Sequence, residues 1–213
     1  MVVKPPGVLV QADRTGDADL LSRLKADLKQ RHGKPGNVYL GLVHRLDRPV
    51  GGIMVFAKTS KAASRLAAQI RARTFKKTYL AWVHGCPHPE SGRLEHCLKK
   101  ESRSNTVRVV PSSDSAGKPA ALEYSVIERR RHAALVRIDL ITGRPHQIRV
   151  QMASIGCPLL GDRKYGNPDE CPDECEIALW AHEIRFSHPT TRAPLSFTAP
   201  LPPEWDMGGT MLR

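Results

Sequence analysis

Tyr39-Leu-Gly-Leu-Val-His-Arg-Leu-Asp-Arg-Pro-Val-Gly-Gly-Ile-Met-Val-Phe-Ala-Lys58 sets two apolar runs on either side of a charged turn. Val38 to Val43 reads as a strand or its end. Ile53 to Ala57 is short and rich in β-formers, as a buried strand is. Between the runs stand His44, Arg45, Asp47 and Arg48, then Pro49 and Gly51-Gly52, which punctuate a loop. This places Asp47 at the rim of a sheet with Arg45 and Arg48 beside it. A carboxylate near guanidinium groups stays ionised, and an ionised, fixed carboxylate is what nucleophilic catalysis at a sugar carbon needs. The same residues would also serve as an ordinary Arg–Asp pair closing a turn, an interaction that contributes little to stability. The stretch by itself leaves both readings open.

Outward from it, the chain alternates strand and helix patterns. Met1 to Gln11 predicts a strand, a tight turn at Lys4-Pro-Pro-Gly7 and a second strand. Asp17 to Gly33 predicts a helix with Leu20, Leu21, Leu24 and Leu28 on one face, stopped by Gly33 and Pro35. Thr59-Ser60 suits the cap of a helix to about Arg73, burying Ala63, Leu66, Ala67 and Ile70. Phe75 to Gly85, Thr106 to Val110, Ala121 to Ile127 and His132 to Thr142 read as strands, whereas Pro87 to Arg103 looks turn-rich and polar. Gly143 permits a turn, and Pro145 suits the start of a helix that buries Ile148, Met152 and Ile155 and ends at Gly156. Arg144 and His146 then fall near a helix N-terminus, where backbone N–H groups also favour anions. Pro158 to Gly166 is a loop, Glu176 to Phe186 a helix turning into a strand, and Thr190 to Pro203 extended. Without the regular βαβ rhythm of a parallel sheet, this order predicts an α+β fold with a mixed, largely antiparallel sheet, formed by residues 1–213 as a single domain.

The composition narrows the partner. In 213 residues, 33 Lys and Arg against 21 Asp and Glu give a net charge of +12, spread along the chain rather than gathered in a tail. A folded basic surface of this kind favours nucleic acid; no stretch is long and apolar enough to span a membrane. Five cysteines without a secretory signal ahead of them read as free thiols in a reducing compartment, the cytoplasm. Cys171 and Cys175 lack a second ligand pair at the spacing a structural zinc site needs, so no metal is expected. Tyr79, behind Lys76-Lys77, is either a core aromatic or a ring on which an unstacked base lies.

Taken together, Lys4-Pro-Pro-Gly7, His44-Arg-Leu-Asp47, Ala57-Lys-Thr59, Lys77-Thr-Tyr-Leu-Ala-Trp-Val-His-Gly85, Thr142-Gly-Arg-Pro-His-Gln-Ile-Arg149, Gly161-Asp162 and Ala181-His-Glu-Ile-Arg-Phe-Ser-His-Pro-Thr190 resemble the RluA-type pseudouridine synthases over nearly the whole chain. Arg48-Pro49-Val50-Gly51 departs from the Asp-Thr-Ser-Gly common in that family. Many relatives also carry an S4-like RNA-binding domain, for which this chain has no room.

The resemblance implies a pseudouridine synthase-like fold, with helices flanking the sheet around a central RNA-binding cleft. It also implies isomerisation of a uridine in ribosomal or transfer RNA, by a monomer that needs no cofactor. It casts Asp47 as the catalytic carboxylate, Tyr79 as the residue against the base, and Arg149 as the partner of Asp47. Arg45, His44, Arg144 and His146 become RNA contacts, and Ile148 a wall of the base pocket. A base within a helix must be flipped to be reached. Two other functions share these features. A catalytically silent RNA-binding module would not need Asp47, and a glycoside hydrolase-like enzyme would need a second carboxylate, for which Asp139 is the nearest candidate.

Overall fold

The computed structural model describes residues 1–101, 103–167 and 176–206. Cys171 and Cys175 lie outside the described residues. The chain divides into two compact units, Met1–Lys76 with Glu183–Ala199, and Lys77–His182 with the described residues from Pro200.

The first unit opens with β1 (Val2–Lys4), followed by α1 (Leu20–Arg31), β2 (Gly41–Leu42), β3 (Gly51–Met54), β4 (Phe56–Ala57) and α2 (Ser60–Arg71). β1 pairs antiparallel with β3 and β2 with β4. The second strand expected before Gln11 does not form; Leu9 makes only an isolated bridge to Asp19. Asp19 caps α1, its carboxylate accepting from the Ser22 N–H at 3.0 Å, and the helix leaves its leucines half-buried. The run Val38 to Val43 contracts to β2. Ile53 to Ala57 is divided between β3 and β4, because Val55 donates its N–H to His44 Nε2 at 3.1 Å rather than to a ladder. Thr59 caps α2 through the Ala62 N–H, as its position suggests, and Leu66 is the fully buried residue of that helix. Gly41 has no side chain because Ala63 of α2 and the Tyr39 hydroxyl occupy the place of a Cβ.

The second unit is built on β5 (Lys76–His84), β6 (Ser91–Glu101), β7 (Thr106–Val110), β8 (Lys118–Arg129) and β9 (Ala133–Leu140), antiparallel in the order β5-β9-β8-β6-β7. β6 corrects the expectation of a turn-rich segment. Arg93 and Glu95 on its exposed face hide the period-2 alternation with Leu94 and His96. α3 (Gln147–Ser154) packs on β6 and β7, and Val150 joins Leu98, Val107 and Ala120 in one core cluster. Pro145 lies in the turn ahead of α3, and every residue from Gln147 to Met152 is buried, not only the apolar stripe.

β10 (Leu179–Ser187) replaces the helix expected from Glu176, since a continuous apolar run suits a buried strand as well as a helix. β11 (Pro194–Thr198) pairs with its last five residues in the first unit, and α4 (Pro203–Asp206) is one turn. The result is an α+β fold in which the strand pairs described within each unit are antiparallel. No helix among the described residues is long and apolar enough to cross a membrane.

Candidate active site

Asp47 sits half-buried in the loop between β2 and β3, between the buried side chains of Leu46 and Val50. Its carbonyl accepts the Val50 N–H at 3.0 Å and closes a turn through Arg48 and Pro49. The turn is held from the N-terminal segment. Lys4 is fully buried, and its ammonium donates to the carbonyls of Pro5 (3.0 Å), Val8 (2.7 Å) and Arg48 (3.0 Å). A buried ammonium is tolerated only when its donors are satisfied. In register, Lys4 lies opposite Gly52 on β3, directly after the turn. Sequence reasoning missed this role. The signal was a lysine after Val2-Val3 followed by two prolines, whose missing N–H groups cannot compete for nearby carbonyls.

Of the two RNA contacts expected beside Asp47, His44 has its Nε2 engaged as acceptor by Val55 and its ring tilted 50° against Phe75 at 5.6 Å. Arg45 is exposed and forms no ion pair with a described residue. His44 therefore shapes the loop, and Arg45 offers a cation to solvent.

Tyr79, Arg144, His146, Ile148 and Arg149 belong to the second unit. Tyr79 lies on β5 opposite Ile138 and is buried, as is Ile148 on α3. Arg149 reaches Asp162, Nε to Oδ2 and Nη2 to Oδ1, both at 2.7 Å. This fork-to-fork pair suits a planar guanidinium. Asp162 also accepts the N–H groups of Lys164 and Tyr165 at 3.0 and 3.2 Å, which fixes its carboxylate. Gly161 makes this possible. Its φ of +72° is left-handed, and the carbonyl of Glu176 stands where a Cβ would go.

Tyr165 brings two of the expected site residues together. Its ring lies 5.0 Å from the Arg149 guanidinium carbon, and its hydroxyl is 2.6 Å from His146 Nδ1 while accepting the Val107 N–H at 2.8 Å. His146 itself has a left-handed backbone, φ +51°, immediately before α3. Arg144 donates from Nε to the Pro119 carbonyl at 2.9 Å. The turn between β9 and α3 is organised by Gln147. Its Oε1 accepts from the Thr142 hydroxyl (2.8 Å) and the Arg144 N–H (2.9 Å), and its Nε2 donates to the Ala121 carbonyl (3.0 Å) and to Gln151 Oε1 (2.9 Å). Lys77 Nζ lies beside Gly143, 2.9 Å from the place of a Cβ, and burial pushes this ammonium below the usual lysine range. Asp162, Tyr165 and Gln147 were not singled out from the sequence. Asp162 and Gln147 were legible only as members of the motifs Gly161-Asp162 and Thr142–Arg149, without a role.

Asp139, the other carboxylate weighed from the sequence, is occupied. It accepts from the Thr78 hydroxyl at 2.5 Å and from Arg137 Nε at 3.2 Å, on the strand pair β5–β9.

A family model described as RNA pseudouridylate synthase matches residues 1–154. The chain is 39% identical over 176 residues to the ribosomal large subunit pseudouridine synthase C of Pasteurella multocida, covering 80% of this chain and 54% of that protein. It is 35% identical over 203 residues to an uncharacterized RNA pseudouridine synthase of Bacillus subtilis, covering 95% and 66%. The chain thus spans between about half and two thirds of the length of these relatives. Among solved structures, human RNA pseudouridylate synthase domain containing 4 superposes with a TM-score of 0.80 at 24% identity, over 96% of this chain and 85% of that one. The fold is shared at that distance.

Proposed function

The chain belongs to the RNA pseudouridylate synthase family, and from that premise we propose that it isomerises a uridine of structured RNA to pseudouridine, with Asp47 as the catalytic carboxylate. The observation that carries this proposal is the family match over residues 1–154, a span that contains Asp47, Tyr79 and Arg149. The names of its relatives support ribosomal RNA of the large subunit as the substrate, with transfer RNA as the alternative.

In the proposed reaction the bond from ribose C1′ to uracil N1 breaks, the uracil turns within its pocket, C5 bonds to C1′, C5 gives up its proton and N1 takes one up. Atoms and electrons are conserved, so the reaction needs no redox partner or group donor. Asp47 attacks C1′ or assists glycal formation. In this reading Tyr79 works against the base and in the late proton transfer, and Arg149 belongs to the same catalytic set. A base must leave its stack to be reached, and the detached uracil must be kept from water, to which an apolar wall such as Ile148 contributes. Arg45, His44, Arg144 and His146 are the residues we assign to RNA contact, His44 through the loop it shapes. We take residues 1–213 as one catalytic domain, acting as a monomer in the cytoplasm.

The test is conversion of uridine in ribosomal and transfer RNA transcripts by the purified chain and by Asp47→Asn. Asn keeps the size of Asp but removes its charge and nucleophilicity. The expected result is pseudouridine with the wild type and background with Asp47→Asn, while folding and RNA affinity stay unchanged. Substantial conversion by Asp47→Asn would remove Asp47 from the chemistry, and release of free uracil would indicate a hydrolase instead. RNA binding without conversion by the wild type would leave a silent binding module.

A further inference from the structure

Arg48, the residue after Asp47, is held at both ends. Its carbonyl accepts from the buried Lys4 ammonium at 3.0 Å. Its side chain crosses to the N-terminal segment, where Nε donates to the Gly7 carbonyl at 3.0 Å and Nη1 lies 2.8 Å from Asp17 Oδ2. Gly7 takes φ +77° in the turn that Lys4 threads. The receiving segment is itself ordered by side chains. Asp13 accepts from the Thr15 N–H (2.8 Å) and hydroxyl (2.6 Å), and the Asp17 N–H donates to the Thr15 hydroxyl (3.3 Å). The Thr15 hydrogen bonds hold the Asp13 carboxyl below its usual range, and the positive charge of Arg48 adds to this. The guanidinium therefore faces two carboxylates and a carbonyl of one short stretch.

We propose that the Arg48–Asp17 clasp is a positioning device that holds the Asp47 turn in its working geometry. This rests on Asp47 being the catalytic carboxylate. The turn has one internal backbone hydrogen bond, from Val50 to Asp47. Lys4 adds a hold at a single point, the Arg48 carbonyl, about which the plane of the turn can tilt. A second hold, from a rigid guanidinium fork to two separate acceptors, removes that tilt. Both carboxylate and guanidinium are half-exposed, at 49% each, so the pair adds little to global stability. Displacing a reacting group by about 1 Å can cost on the order of a hundredfold in rate. The two effects are separable, and the clasp acts through the second.

The alternative role for an arginine at this lip is a direct contact to an RNA phosphate. Asp17 distinguishes the two. If Arg48 clasps, Asp17→Ala releases it and mimics Arg48→Ala. If Arg48 binds RNA, Asp17→Ala frees it for the phosphate and does no harm.

The experiment compares Arg48→Ala, Asp17→Ala, the double variant and Arg48→Lys, with single-turnover conversion of a substrate RNA, RNA affinity across a salt series, and hydrogen exchange of the Val50 amide. For the clasp, Arg48→Ala and Asp17→Ala each lower kcat by about tenfold or more with KM little changed. The double variant is no worse than Arg48→Ala, and Arg48→Lys, which cannot reach both acceptors, recovers part of the loss. The Val50 amide exchanges faster in both alanine variants while their denaturation midpoints stay near wild type. A wild-type kcat in Asp17→Ala, with raised KM and a weaker salt dependence in Arg48→Ala, would overturn the clasp in favour of a phosphate contact. Unchanged Val50 exchange in both variants would overturn it as well. A wild-type protein that converts no uridine would instead remove the functional premise, and the exchange measurement would still report on the clasp.

Discussion

Arg149 and Asp162 face each other as two forks, joined by two hydrogen bonds of 2.7 Å in a region where Asp162 is 1% exposed. Thirteen residues separate them in the chain, and the turn Leu159–Asp162 closes the distance with the Asp162 N–H donated to the Leu159 carbonyl at 3.2 Å. The carboxylate that orients Arg149 within its own unit is thus supplied by the loop after α3.

Removing that carboxylate leaves a buried guanidinium with one counter-charge fewer. Breaking a buried pair from one side costs about 3–5 kcal/mol, a large share of the stability of a domain. Asp162→Ala should therefore show a strongly reduced denaturant midpoint. Arg149→Lys keeps the charge but loses the fork, and should fall between wild type and Asp162→Ala. Urea denaturation of the three proteins checks the order. An Asp162→Ala midpoint equal to wild type would mean that the pair is absent in solution.

The backbone that presents Asp162 gives a second expectation. Gly156 and Gly161 both have left-handed φ, +77° and +72°, but only Gly161 has a backbone carbonyl, that of Glu176, in the place of a Cβ. A left-handed residue with a side chain costs roughly 1–2 kcal/mol, and Gly156→Ala should lose about that much. Gly161→Ala must in addition displace the Glu176 segment, so it should lose clearly more. Thermal denaturation of the two variants side by side makes the comparison, and equal losses would show that the Glu176 carbonyl yields freely.

What was legible in the sequence was what local chemistry announces. Asp47 stands out because charge interrupts apolar runs beside Pro49 and Gly51-Gly52. α2 is legible because Thr59 caps it and Leu66 faces inward. α3 shows the limit. Gln147, Arg149 and Gln151 are polar, and a periodicity argument leaves them on the solvent side. They are buried because their partners come from distant parts of the chain: Ala121, Asp162 and Leu94. β6 was hidden by its own exposed charges, and the start of β10 by an apolar run that fits either kind of element. Lys4 was read as part of a turn, since nothing local says that its ammonium will find three carbonyls.

The Gln151 network carries a pH dependence. Gln151 Nε2 is a donor only, and it lies 3.0 Å from His96 Nδ1, so Nδ1 must accept and the ring must be neutral. Burial also lowers the His96 pKa from its ordinary 6.5. With the folded value below the unfolded one, the unfolded chain takes up protons first as pH falls. The contribution of His96 to stability is present above about 6.5 and is lost as pH falls through the folded value. His96→Gln retains an acceptor without a titrating group, so its urea midpoint should vary less between pH 7 and pH 5 than that of wild type. Equal pH profiles for the two proteins would exclude His96 as a contributor.

The last expectation concerns how the net charge of +12 meets RNA. Neutralising phosphates releases condensed counterions, so affinity should fall steeply and linearly in a log–log plot against salt. Total charge does not say which cations contribute, but the structure separates two arginines of the first unit. Arg45 is exposed beside Asp47 and forms no ion pair with a described residue. Arg31, equally on the surface, is paired with Asp27 at 2.7 Å one turn earlier on α1. A cation already neutralised by a neighbour gains less from a phosphate than one that is not. Arg45→Ala should therefore weaken binding to a substrate RNA and reduce the salt slope by about 1, the signature of one lost phosphate contact. Arg31→Ala should leave both the affinity and the slope near wild type. Because each variant removes one positive charge, a general effect of net charge would lower both by the same amount. Equal slopes for Arg45→Ala and wild type would place the RNA elsewhere on the basic surface.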